Sequence, residues 1–124
     1  MIDADARIVS ITVTGPTAAQ DIANLQARLR DDPSFQPSYH QLFDFRAARL
    51  TDIFAPQVEA LLSTSPFAVT SRRAYVVSPG SVNYGLGRMA EIMAERITST
   101  PLLLRVFEDR DSAMQWLLQG ADHP

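Results

Sequence analysis

Apolar and polar positions alternate along residues 7–15, "RIVSITVTG", where Ile8, Val9, Ile11 and Val13 are set among Ser10, Thr12 and Thr14. A period of two with β-branched side chains predicts a strand, and Gly15-Pro16 predicts its exit turn. The period then changes. Ala18, Ile22, Leu25 and Leu29 recur at helical spacing, Thr17 and Gln20 stand in a capping-box relation, and "DDP" at 31–33 closes the helix. "QLFDFRA", 41–47, reads as a short buried strand. The helix that follows carries Phe54, Val58, Leu61 and Leu62 on one stripe, with Pro56 tolerable near its start. "RRAYVVSPG", 72–80, is a third strand centred on Tyr75, Val76 and Val77. From Ser81 onward, Val82, Leu86, Met89, Met93 and Ile97 keep helical spacing. "LLLRVF", 102–107, predicts a fourth strand, and "EDRDSAMQWLL" a final helix with Ala113, Trp116 and Leu117 turned inward.

Strand and helix thus alternate four times. The expectation is a single-domain α/β sandwich over residues 1–120, with 121–124 as a frayed tail. Its sheet should have four or five strands, mostly parallel or mixed, covered by about four helices. At 124 residues the chain is long enough to bury about two-thirds of its extended surface.

Charge and composition remove several functions. A net charge of −3, no lysine and scattered arginines leave no basic footprint for nucleic acid. Without cysteine there are no disulfides, thiolate metal sites or thiol nucleophiles. "MIDADARIVS" has none of the character of a secretory signal, and no apolar run approaches the length of a membrane span. The expected location is the cytoplasm, and no cofactor or metal is expected.

"YHQLFDFRA", "RRAYVV", "YGLGRMAEIM" and "LRVFEDRDSAMQWL" together resemble the STAS-like, or SpoIIAA-like, group of small bacterial α/β proteins. Relatives in that group include anti-sigma-factor antagonists and the terminal domains of sulfate transporters. In the antagonist branch an aspartate ends a strand, a second follows the loop, and a kinase phosphorylates the serine after it. Asp44 and Asp52 keep that spacing here, but Ile53 and Phe54 stand where the hydroxyl belongs, and Thr51 lies on the wrong side of Asp52. Phosphorylation switches a surface by adding nearly two charges, and neither Ile53 nor Phe54 can take them. The resemblance therefore implies a regulatory fold whose switch region, Asp44, Thr51, Asp52 and Ile53, is degenerate.

No reactive cluster replaces it. Asp44 and Asp52 could form an acid–base pair, but turn and cap roles suit them better, with Arg46 beside Asp44 and Asp52 capping the next helix. His40 is the sole histidine outside the tail, too few for a histidine metal site, and no serine sits in a nucleophile elbow. Of Arg72 and Arg73, one is expected in solvent and the other against a carboxylate. "SPGSVNYGLGRM", 78–89, is the best ligand candidate, because a helix start at the carboxyl end of a strand offers free amides to an anion. The competing reading makes Ser81 that helix's own cap and gives Gly85 and Gly87 a packing role. Two functions follow. One is a non-enzymatic interaction domain for a protein partner or a second copy of itself. The alternative is a carrier or sensor of a small apolar or anionic ligand held by Ser81, Asn83, Tyr84, Met89, Met93 and Phe54.

Overall fold

In the computed structural model, residues 1–96 and 102–121 are described. The chain forms β1 (Ile2–Asp3), β2 (Ile8–Ala18), α1 (Ala19–Asp31), β3 (His40–Thr51), α2 (Ala55–Ser63), β4 (Arg72–Val76), α3 (Val82–Ala94), β5 (Leu103–Phe107) and α4 (Arg110–Ala121). The five strands make one mixed sheet in the order β1-β2-β3-β4-β5. β1 is antiparallel to β2, and each later neighbour is parallel. The α/β expectation is met, with a two-residue β1 added by a turn through Arg7, whose φ is 58°. Ile97 and the tail beyond Ala121 lie outside the described residues.

The strand order steps one way throughout. Right-handed crossovers then require α1, α2 and α3 to lie on the same face. They do: Ile22, Val58, Leu62, Ala90 and Ala94 pack with Val13, Phe43, Phe45, Val77 and Leu104 in the main core. On the other face α4 alone sets Ala113 and Leu117 against Ile8, Leu42, Ala74 and Val76. A third cluster, Val9, Leu29, Tyr39 and Phe67 with Phe35, closes the amino end of the sheet. Of four aromatics that stand beside loops, Phe35, Tyr39 and Phe67 pack inward, with edge-on rings 5.1 Å apart for Phe35–Phe67 and 6.4 Å for Phe35–Tyr39. Phe54 is the exception, at 64% exposure.

Two elements overrun their predicted ends. β3 does not stop near Asp44 but continues to Thr51, pairing Ala47–Thr51 with Thr14–Ala18 of β2 beyond a register shift at Thr12/Thr14. On β3, Phe45 and Arg46 oppose the single residue Val13, so a β-bulge follows Asp44 directly. Thr17 consequently lies inside β2 and does not cap α1, and its hydroxyl donates to the Gly15 carbonyl at 3.1 Å. Asp21 closes the α1 start instead, accepting the Ala18 amide at 2.8 Å.

The far edge of the sheet is β5. There the Val106 amide donates to Glu91 Oε2 of α3 at 2.9 Å, and Arg88 pairs with the same carboxylate. Gly87 allows this approach, since a Cβ on it would come within 3.1 Å of the Val106 side chain. The packing expectation thus holds for Gly87. Gly85 has open space around its Cα.

Candidate functional site

Strand alternation sends Phe43 and Phe45 toward α1–α3 and Asp44 toward α4. Asp44 is 5% exposed. The bulge turns Arg46 back onto it, so that Nε and Nη2 donate at 2.9 and 2.7 Å and the Arg46 amide donates at 3.1 Å. Arg110 of α4 completes the cluster, with Nη1 3.7 Å from Asp44 Oδ2 and Nη2 donating to Ser10 Oγ at 2.5 Å. The Arg46 side-chain hydrogen bonds, which outweigh the cost of burial, hold the Asp44 carboxyl below the ordinary carboxylate value. An ionised acid with its oxygens engaged in this way anchors a strand to a helix.

Asp52 is no partner to it. Eight residues of nearly continuous strand separate the two, on the order of 25 Å. Nor does Asp52 cap α2: it is exposed with φ of 54°, and the N-cap is Phe54, whose amide donates to Gln57 Oε1 at 3.0 Å. The left-handed backbone at Asp52 turns the chain so that Ile53 is buried and Phe54 projects outward. Thr51 is half-buried, its hydroxyl 3.5 Å from the Thr17 carbonyl.

The six expected ligand residues do not share one cavity. Ser81 caps α3, its Oγ accepting the Tyr84 amide at 3.1 Å and donating to the Ser78 carbonyl at 2.7 Å. The Ser81 hydroxyl thus satisfies one of the amides at that helix start. Asn83 Nδ2 donates to the carbonyls of Phe45 and Ala48 at 3.0 and 2.9 Å, fastening α3 to the bulged part of β3. Tyr84 packs against the main core. Met89 and Met93 face an open groove of about 600 Å³ beside α3, together with Gly85, Ile92, Arg88 and Arg96, and with Glu59 from α2. Because the strand order never reverses, the sheet also lacks the switch-point crevice where open α/β sheets hold their ligands.

His40 and the arginine pair have structural work. His40 is buried, and its Nδ1 accepts the Arg72 amide at 2.8 Å. Arg72 lies 5.0 Å over the Trp116 ring and donates to the Trp116 carbonyl at 2.8 Å. Arg73 is 1% exposed and, among the described residues, meets no carboxylate, contrary to expectation. It donates to the carbonyls of Ser71, Phe67 and Ala68 at 2.9, 3.2 and 3.2 Å, and burial pulls its pKa down. The loop before β4 curls around this guanidinium.

The arrangement not foreseen from sequence is a cavity of about 60 Å³ between the sheet and α1–α3. Phe43, Phe45, Ile53, Val58, Leu62 and Tyr75 are among its walls, with Leu50 beside the switch region and Asn83 from α3. Gln26 also lines it, but its amide donates to the Leu61 carbonyl at 3.1 Å. Tyr75 stands edge-on to Phe43 and Phe45, and burial pushes its hydroxyl up to about 12. Its place on the helix-covered face was readable, since Tyr75 keeps the alternation of Val77. The cavity was not, because its walls come from five elements distant in sequence. Among the described residues no group of three His, Asp or Glu side chains converges as a metal site would need, and no helix is long and apolar enough to cross a membrane.

No protein-family model and no curated protein matches the sequence. Among solved structures, the chain is similar to an uncharacterised protein of the DUF3478 family with a SpoIIAA-like fold, from Shewanella loihica PV-4. The two share 21% identity and superpose with a TM-score of 0.55, over 86% of this chain and 80% of the other. With four helices on a five-stranded mixed sheet, the chain has the SpoIIAA-like fold.

Proposed function

We propose that this chain is a bacterial cytoplasmic interaction domain that works without catalysis, receiving the apolar face of a partner's helix in the groove beside α3. The observation that carries this reading is the groove itself. Met89, Ile92 and Met93 give it an apolar floor, and Ile92 is 48% exposed in a position where a core residue would be covered. Methionines suit an adaptable docking surface because their side chains are flexible and polarisable. Arg96 on the rim favours an acidic residue on the incoming helix. Ile53 supports the reading from the switch region, since a buried aliphatic side chain there leaves shape and contact as the means of signalling.

A photo-crosslinking residue at position 92, introduced in cells, tests this directly. One discrete adduct is expected from position 92 and none from position 118, an exposed leucine of α4. The same adduct pattern from both positions, or none from position 92, would discard the reading.

A further inference from the structure

We infer that the cavity beneath the degenerate switch region is a binding site for a small, uncharged molecule with an apolar body and one oxygen acceptor, such as a short ketone. The inference stands apart from the groove beside α3. A half-open pocket of about 60 Å³ walled by main-core residues gives a small apolar molecule a place to enter. Its size limits the occupant to a few non-hydrogen atoms. Its lining defines the rest: no charged side chain reaches it, so an ion would find no counter-charge, and its surface is mostly aliphatic and aromatic.

The polar groups decide the ligand's chemistry. Asn83 and Gln26 line the cavity but donate to the Phe45, Ala48 and Leu61 carbonyls. The Tyr75 hydroxyl has no protein hydrogen-bond partner among the described residues, and the residue as a whole is half-buried. A tyrosine packed against a core usually places its hydroxyl on a protein partner or in water. Here the ring lines the cavity, so an acceptor oxygen placed there would complete the hydrogen bond that the protein does not. The site also has a route outward in its effect: Leu50 and Ile53, which wall it, flank Asp52 at the turn into α2. An occupant presses on the segment that carries the phosphoacceptor in the antagonists this sequence resembles.

Butanone and xenon serve as probes, read through the methyl resonances of Ile53, Val58, Leu62 and Val77. Butanone is expected to shift these methyls saturably, with affinity about tenfold weaker in Tyr75→Phe, the effect of one hydrogen bond. Xenon, which accepts no hydrogen bond, is expected to bind wild type and Tyr75→Phe alike. Leu50→Phe, which narrows the cavity, should weaken both probes. Three results would each overturn the inference: no saturable shift with butanone, equal butanone affinity in Tyr75→Phe, or an ordered water on the Tyr75 hydroxyl that butanone fails to displace.

Discussion

The two faces of this sheet are built by different means, although alternate residues of the same strands supply them. Toward α1–α3, Phe43, Phe45, Tyr75 and Val77 form a thick aromatic and aliphatic layer that leaves a cavity. Toward α4, a single helix covers Leu42, Ala74 and Val76, and the rest of the face is occupied by Asp44, Arg46, Arg110 and Ser10, with Arg72 and Arg105 over Trp116. One helix cannot bury a whole sheet face, so ion pairs and stacked guanidinium groups complete the cover. An acid inside an apolar run is then explained by the thinner layer above it.

The sharpest test of that contrast removes one residue from each face. Phe43→Ala, on the thick side, is expected to cost about 3–5 kcal/mol in urea denaturation at pH 7, because the void it leaves adjoins an existing one. Asp44→Ala, on the thin side, is expected to cost about 2 kcal/mol, since charged hydrogen bonds are lost together. The second cost depends on pH. Arg46 depresses the folded-state pKa of Asp44, so its contribution is present above the unfolded value near 3.9 and disappears as pH falls through the lower folded value. Stability curves of wild type and Asp44→Ala should therefore converge in acid. A gap of equal size at pH 2 and pH 7 would mean that Asp44 acts by packing alone.

The cavity side has the opposite pH signature. Tyr75 is raised from 10.0 to about 12, so its contribution is complete below the unfolded value and is lost as pH climbs through about 12. Tyr75→Phe should change stability at pH 7 by at most about 1 kcal/mol and remove part of the alkaline loss between pH 10 and 12. Absorbance titration of the phenols together with circular dichroism reads both. The smallest effect belongs to neither face. Val82 is 77% exposed at the start of α3, and Val82→Ser should move stability by no more than about 0.5 kcal/mol.

Much of the fold is legible in the order of periodicities, because each helix and each central strand buries one defined stripe. What escaped detection depends on partners far along the chain. Thr17 shows a local capping spacing, yet β3 extends past its bulge and pairs with Thr17 and Ala18 as strand. Asp52 looks like a cap until its left-handed backbone moves that role to Phe54. Arg73 next to Arg72 suggests an ion pair, but the loop from Phe67 to Ser71 supplies carbonyls that only the folded chain brings together. Ser81 as its helix's own cap was one of two readings, and its hydroxyl does accept the Tyr84 amide and donate to the Ser78 carbonyl. The cavity left no local trace.

At the rim, Glu91 stands in for a neighbouring strand. By holding the Val106 amide it denies other molecules the first rung of a ladder, and crowded copies therefore meet side chain first. Warmed at high concentration, Glu91→Ala should turn cloudy before the parent does; equal turbidity would show that this carboxylate guards nothing.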